Sequence, residues 1–221
     1  MPELEGLGEV ISTDVLIVGG GIAGLVAALK AKEYPVDVVI VDKQTVGWAG
    51  HAPKIGGGLS FVGPGDDPDK FVEFQVRNVG HYLNDQELLY AYARESYGAA
   101  QQLAEWGANF PRDANSKMQT VRHRGGLWSG TGVDIDMLLP LRARARKLGV
   151  KILNKVAVVE LLKQGNRVSE QSVSTSSIEA STFLKPKPRY WPTADVPKMP
   201  GDFLSPAPVT ASLPPIGPGP R

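Results

Sequence analysis

The sequence predicts an α/β fold built around a parallel central sheet, incomplete at its far end and followed by a disordered tail rich in serine and proline. Near the start of the 221-residue chain, a short apolar strand, a glycine-rich turn and a helix follow one another. Strand and helix patterns then alternate up to Val168, whereas 11 of the 18 prolines come after Ser169. We therefore expect a folded domain over residues 1–168 and a low-complexity tail over residues 169–221.

The composition is that of a globular protein. Hydrophobic residues make up 42% of the chain and charged residues 21%, with a net charge of +1, so we expect no nucleic-acid partner. Cysteine is absent, which excludes disulfides and cysteine-ligated metal sites, and we expect no metal. No signal-peptide pattern and no transmembrane segment is visible, so we expect a cytoplasmic protein.

The first elements have the order of a dinucleotide-binding unit. Residues 15–18 form a short apolar run with β-branched side chains, typical of a strand in a parallel sheet, and residues 25–32 continue as a helix. A second apolar run, residues 36–41, ends at Asp42, about 20 residues after the glycines. The glycines between strand and helix have the spacing G-x-G-x-x-G and are Gly19, Gly21 and Gly24. This order predicts a Rossmann-like unit.

The glycines and the acid have separate predicted tasks. Gly19 allows a tight turn, Gly21 lets the backbone approach a pyrophosphate, and Gly24 lets the helix pack close to the strand. The N–H groups of residues 21–23, with the helix dipole behind them, would hold the negatively charged diphosphate. Asp42 would accept hydrogen bonds from the adenosine ribose.

A second helix is predicted to start at Asp67. Asp67 suits the N-cap and Pro68 the first helical position. The helical period predicts four apolar side chains on its inward face: Phe71, Val72, Val76 and Val79.

Two further helices carry start and stop signals. Asn84 and Glu87 have capping-box spacing, and Gly107 suits the position after the end of that helix. The next helix ends at Gly149 and carries Pro140 in its first turns, where a proline removes one backbone hydrogen bond. Two strands then follow.

Several of these segments resemble a known family. The run GGGIAGLVAA, with Ala28 four residues after Gly24, is similar to the dinucleotide-binding motif of two-domain flavoproteins. The segment VGWAGHAPKIGGGLSFV, the following helix, the DQE start of the next helix and its WG close resemble flavoprotein subunits of the succinate dehydrogenase, fumarate reductase and adenylylsulfate reductase superfamily. The resemblance covers residues 13–168.

The resemblance implies an FAD-dependent oxidoreductase, of which this chain is the amino-terminal part. The complete enzyme would act on a small-molecule substrate and could exchange electrons with a partner subunit. In the family the substrate-binding His and Arg residues lie in a capping domain and later loops beyond this chain, so no catalytic residue is named here. Two alternatives stay open: a non-enzymatic nucleotide-binding module whose Pro-rich tail binds a partner, and an NAD-dependent dehydrogenase.

The resemblance also implies which residues bind the cofactor. In the family, backbone groups around Ala157 and Val158 contact the adenine. The candidate cofactor-binding residues are Gly19, Gly20, Gly21, Ile22, Ala23, Gly24, Asp42, Lys43, Gly50, His51, Gly57, Gly58, Ala157 and Val158.

His51 stands six residues before the pair Gly57–Gly58. Some family members attach a histidine at that spacing covalently to the flavin. The residues between depart from the family pattern, so we expect noncovalent attachment, with His51 lining the flavin or filling a loop.

Other polar and aromatic residues have weaker claims on function. His81 and the run VRHRGG, residues 121–126, could contact anions, although a solvated loop is the favoured interpretation. Trp106, Trp128 and the pair Tyr90 and Tyr92 are expected to be packing residues.

The tail after Val168 raises a separate hypothesis. The family expects a strand pair here, and its second strand would fall near residues 185–192. Reading each codon from its present third base turns Tyr190-Trp191-Pro192 into Leu-Ala whichever codons are used, and each Lys-Pro pair into Ala or Thr. We therefore expect the tail to be an out-of-frame translation, with a native Pro-rich linker as the alternative.

Overall fold

A computed structural model describes residues 8–48, 50–55, 57–164, 167–175 and 181–186. The strands are β1 Gly8–Thr13, β2 Val15–Val18, β3 Val38–Asp42, β4 Gly58–Phe61, β5 Val121–His123, β6 Trp128–Gly132, β7 Lys151–Asn154, β8 Val156–Gln164, β9 Arg167–Thr175 and β10 Ser181–Pro186. The α-helices are α1 Ile22–Ala31, α2 Ala52–Ile55, α3 Pro68–Phe74, α4 Gln86–Glu105 and α5 Leu138–Lys147. The fold is mixed α/β, as the sequence predicts.

A parallel sheet with the strand order β2–β3–β7 forms the centre of the unit. Val18 pairs with Val41, and Asp42 pairs with Asn154, so all three strands end at one edge. Because ligands of open α/β sheets bind beyond the carboxyl ends of the strands, this edge is where a nucleotide site is expected.

Apolar side chains cover both faces of this sheet. Helices α1 and α5 contribute buried residues such as Leu25, Leu29, Leu138 and Leu141 to the largest core cluster. The opposite face buries Val39 and Val41 together with Ile11 and Val156 in a smaller cluster. Burying each of these side chains contributes about 1.5–3 kcal/mol, which holds the strands in the register that the site requires.

A second, antiparallel sheet has the order β4–β6–β5. Helices α3 and α4 build a separate apolar cluster beside it, with Val62, Phe71, Val72, Val76 and Ala93 as its buried members. The strand pair of β5 and β6 was not predicted from the sequence, because β5 has only three residues, VRH, and β6, WSGTG, contains two glycines.

Several predicted helix boundaries are confirmed. The Asp67 carboxylate accepts hydrogen bonds from the N–H groups of Asp69 and Lys70, and Pro68 opens α3. Gly107 and Gly149 follow the ends of α4 and α5 with φ values of +104° and +81°, a conformation that favours glycine.

Two predictions about the α3–α4 region are wrong. Val79 was placed on the inward face, but 56% of it is exposed, because residues Gln75–Val79 form a π-helical turn that rotates it outward. The capping-box spacing predicts Asn84 as the N-cap of α4, but the cap is Asp85, whose Oδ1 accepts from Leu88 N at 3.1 Å. Asn and Asp side chains can both cap a helix, and the turn before α4 places Asp85 at the capping position.

Strand structure continues past the predicted domain boundary at Val168. Strand β9 spans that residue and pairs with β8 on one side and β10 on the other, both antiparallel. Strand β10 in turn pairs in parallel with β1, from Ser181 beside Gly8 to Pro186 beside Thr13. The strand expected near residues 185–192, like the rest of the predicted tail, lies largely outside the described residues. No helix among the described residues is long and apolar enough to cross a membrane.

Candidate functional site

The glycine turn between β2 and α1 needs glycine at two positions, for the backbone conformation of Gly19 and for the close packing of Gly24. Gly19 adopts φ +105°, and its N–H donates to the carbonyl of Val41 at 2.8 Å, which joins the turn to the end of β3. A Cβ on Gly24 would lie 1.8 Å from the Gly19 carbonyl oxygen. The turn and the first helical turn therefore pack backbone against backbone, as predicted for Gly19 and Gly24.

Gly20 is the third position that a side chain would disrupt. A Cβ there would come within 2.6 Å of the Val46 side chain, which is fully buried. The Gly20 N–H donates to Asp42 Oδ2 at 2.7 Å. Gly20 therefore links the glycine turn to the acid at the end of β3.

The beginning of α1 is open to an anion. Gly21 is the N-cap, no side chain caps the helix, and its first turn contains no acidic residue. Among the described residues, a Cβ added at Gly19 or Gly21 would meet nothing within 4 Å, so no described atom crowds these two positions of the turn. Backbone N–H groups and the helix dipole at this end, which includes Ile22 and Ala23, favour a phosphate.

Asp42 is held by two backbone donors. Besides Gly20, the N–H of Gln44 donates to Asp42 Oδ1 at 2.6 Å. A carboxylate has about four acceptor positions, so both oxygens keep capacity for a ribose hydroxyl. The ribose contact stays a prediction, and the structure adds a role that was not predicted from the sequence, which is fixing the glycine turn.

Residues 44–47, here called the closing segment, run from Asp42 over the glycine turn. Gly47 N donates to the Gly20 carbonyl at 2.8 Å, and Val46 N donates to Asn154 Oδ1 at 2.9 Å. Lys155 N donates to the Gln44 carbonyl at 2.7 Å. Asn154 was not predicted from the sequence, although it is a polar residue that ends an apolar strand at the same sheet edge as Asp42.

The remaining candidates between β3 and β4 flank the closing segment, with Lys43 before it and the others after it. Lys43 is exposed directly after β3, while Gly50 and His51 are exposed just before α2. Gly57 has φ +143°, and Gly58 begins β4 opposite Gly132. Their roles at the flavin stay predictions.

Ala157 and Val158 lie near the start of β8 and are half-buried. They pair with Ser174 and Val173 of β9, and the register shifts directly after Val158. Strand β8 begins shortly after Asn154, next to the closing segment. The adenine contact expected from their backbone groups stays a prediction.

One of the two arginines of the run at residues 121–126, Arg122, has a structural partner. Arg122 Nε lies 3.3 Å from an oxygen of Asp66, whose side chain is fully buried. Asp66 also accepts from Ser129 Oγ at 2.7 Å, so this carboxylate ties the β5–β6 hairpin to the loop before α3. His123 stacks on Trp128 with ring centroids 5.9 Å apart.

The aromatic residues that were predicted to be packing residues contact protein groups. Trp106 is 9% exposed within the main core cluster. Tyr92 donates to the Ser60 carbonyl at 2.6 Å, and burial raises the pKa of its hydroxyl. Tyr90 donates to Asp69 Oδ1 at 3.0 Å, a bond that raises the pKa of Tyr90.

Among the described residues, no group of three or more His, Cys, Asp or Glu side chains is arranged to hold a metal ion.

Comparisons with known proteins agree with this geometry. A family model described as FAD binding domain matches residues 14–185. L-aspartate oxidase of Clostridium perfringens is 29% identical over 78% of this chain and 40% of its own length. A fumarate reductase (CoM/CoB) subunit of Methanothermobacter marburgensis is 26% identical over 79% of this chain and 34% of its own length.

The fold is also similar to that of a solved structure, the Mycobacterium smegmatis Sdh1 complex in the apo form. The TM-score is 0.69 at 20% identity, over 80% of this chain and 33% of that chain. The resemblance inferred from the sequence motifs is confirmed, and so is the expectation that the chain corresponds to part of these flavoproteins. The chain spans less than half the length of these two curated relatives.

Proposed function

The chain belongs to the FAD binding domain family, which matches it over residues 14–185, and we propose that it serves a fumarate reductase-like oxidoreductase as the part that holds the FAD diphosphate. The observation that carries this proposal is the open, uncapped start of α1 beside a glycine turn that tolerates no side chain at Gly24. A diphosphate needs backbone donors and close approach, and this turn offers both.

The chain's own residues would bind and orient the cofactor. The N–H groups at residues 21–23 would donate to the diphosphate, and Asp42 would hold the turn while it contacts the ribose. FAD, when bound, supplies a ring that accepts or gives a hydride or an electron pair. Residues of the stretch at 50–58 would lie along the flavin, with His51 as a noncovalent neighbour.

The substrate of the complete enzyme is expected to be a small molecule. Relatives named as a fumarate reductase and as aspartate oxidases support a dicarboxylate or an amino-acid dicarboxylate. The relative that is named as one subunit of a fumarate reductase supports a partner protein that exchanges electrons. The cytoplasmic location inferred from the sequence is retained as part of the same proposal.

Cofactor identity tests the proposal. The 221-residue chain and the product of the frame-restored gene are each purified and denatured. Each supernatant is then analysed for FAD and NAD by absorption and chromatography. We expect FAD and no NAD in the supernatant of the frame-restored protein, and little flavin from the 221-residue chain. A colourless supernatant from the restored protein, with NAD raising its melting temperature instead, would contradict the proposal.

A further inference from the structure

We propose that Asn154 is a positioning residue for the cofactor: it sets the phosphate-binding turn without touching the phosphate. This inference deepens the FAD-binding role proposed above and rests on it. Asn154 ends β7 and lies beside Asp42 in the parallel sheet. Its Oδ1 accepts the hydrogen bond of Val46 N at 2.9 Å.

The Val46 amide has no access to water. Val46 is fully buried in the main core cluster, and its side chain fills the space beside Gly20. A buried N–H without an acceptor costs about 1–3 kcal/mol. The acceptor is not a strand or helix neighbour, because residues 44–47 belong to neither, so a side chain from another element supplies it.

The bond reaches the glycine turn through one residue. Gly47, directly after Val46, donates to the Gly20 carbonyl at 2.8 Å and adopts φ +74°. Gly20 in turn donates to Asp42 Oδ2 at 2.7 Å. A shift of Val46 would therefore move the Gly20 carbonyl. That carbonyl belongs to the same turn as the N–H groups of residues 21–23, which would donate to the diphosphate.

The corner between β7 and β8 also binds the closing segment through its backbone. Lys155 adopts φ +59°, which is unusual for a residue other than glycine, and its N–H donates to the Gln44 carbonyl at 2.7 Å. Two neighbouring residues, Asn154 and Lys155, thus hold the closing segment at Val46 and at Gln44. Backbone strain that persists at such a corner is typical of functional sites.

Two variants of Asn154 separate positioning from simple stability. Asn154→Leu keeps a similar volume but offers no acceptor, whereas Asn154→Asp keeps the Oδ1 acceptor. Asn115→Leu, at an exposed loop position, is the matched control. Each variant is made in the frame-restored protein, which is the form expected to bind FAD, and FAD affinity is titrated by flavin fluorescence. The melting temperature without cofactor and the amide exchange of Val46 and Gly47 are measured as well.

Asn154→Leu is expected to weaken FAD binding about tenfold or more, the effect of one lost buried hydrogen bond. Exchange at Val46 and Gly47 should be faster in the cofactor-free protein, while Asn154→Asp should keep most of the protection and Asn115→Leu should match the wild type. Unchanged exchange in Asn154→Leu, or an FAD affinity equal to that of the wild type, would overturn the inference.

The outcome separates this inference from the proposed function. Wild-type protein that binds no FAD would contradict the proposed function, and the exchange of Val46 and Gly47 would still test the Asn154 link. Wild-type protein that binds FAD only as tightly as Asn154→Leu does would contradict the positioning role alone. Fast exchange spread over all of β3 and α1 in Asn154→Leu would show general unfolding and would also count against it.

Discussion

The glycine turn after β2 and strand β1 differ in how far along the chain their hydrogen-bonding partners lie. At the turn, Gly19 and Gly20 donate to Val41 and Asp42, residues that lie about twenty positions away. Strand β10 comes from much later in the chain, and its described pairing with β1 runs from Ser181 beside Gly8 to Pro186 beside Thr13. The direct partners of the turn therefore lie within the first β-α-β unit, whereas β1 depends on a strand from the far end of the described chain.

The register of β10 indicates where that strand would continue. If the parallel pairing of Pro186 with Thr13 continued in step, residues 188–191 would lie beside β2. Among the described residues β2 pairs with β3 only, and Val18 at its end is 57% exposed. Proline has no N–H to donate, so Pro186 and Pro188 suit a central strand poorly. In the shifted frame both Lys-Pro pairs become Ala or Thr, which supports the frame hypothesis.

The largest effect on the turn side of this comparison is expected from Gly24→Ala. The new Cβ would lie 1.8 Å from the Gly19 carbonyl oxygen, so the turn and α1 must move apart. We expect destabilisation of about 3 kcal/mol and loss of FAD binding, measured by denaturant unfolding and by FAD titration.

Gly98→Ala is the matched control for that prediction. A Cβ on Gly98, within α4, would meet nothing within 4 Å. Replacing a glycine inside a helix by alanine is expected to stabilise the chain by about 0.5–1 kcal/mol. Equal effects of the two substitutions would show that the close approach at Gly24 is unimportant.

A smaller effect is expected from Asp42→Asn. Asn keeps one carbonyl oxygen but presents an amide N–H₂ group to either Gly20 N or Gln44 N, so one of two bonds is lost. We expect FAD affinity to fall roughly tenfold, while FAD remains preferred over NAD. An unchanged dissociation constant in fluorescence titration would show that Asp42 neither shapes the turn nor contacts the ribose.

His51→Ala tests the stretch after the closing segment. Because the residues after His51 depart from the covalent pattern, acid precipitation of the wild-type protein should leave a colourless pellet, and so should the variant. FAD affinity should change by no more than about threefold, since His51 is exposed. A yellow, fluorescent wild-type pellet that is lost in His51→Ala would establish covalent attachment.

The smallest predicted effect lies far from the turn, at the N-cap of α3. Hydrogen bonds from the backbone, chiefly that of Lys70, hold the pKa of Asp67 below its usual value. A lowered folded-state pKa stabilises the protein above the unfolded pKa, and this contribution is lost as the pH falls through the folded value. Asp67→Ala should lower Tm at pH 7 by about 2–4 °C, and its difference from wild type should shrink in acid. A difference independent of pH would contradict the capping role.

The sequence was sufficient for elements with local signals. The glycine turn, β2, α1, the Asp67 cap and the Gly107 and Gly149 helix ends follow from residue chemistry within a few positions. Val79 could not be placed correctly because a single π-helical turn changes the period without a sequence signal. Asn154 could not be found because its partner, Val46, is 108 residues away in sequence.

The glycine turn and Asp42 lie together at the sheet edge in the described residues, whereas the strand expected beside β2 is predicted to require the shifted reading frame. The direct test inserts or deletes the base that restores the frame after Val168 and compares both proteins by bound FAD per chain, oligomeric state and dye-linked reductase activity. We expect the restored protein to hold about one FAD per chain and to turn over, and the 221-residue chain to bind flavin poorly and aggregate, because apolar strand edges associate. If the 221-residue chain is monomeric, holds FAD stoichiometrically and its gene shows no downstream flavoprotein frame, the account is wrong.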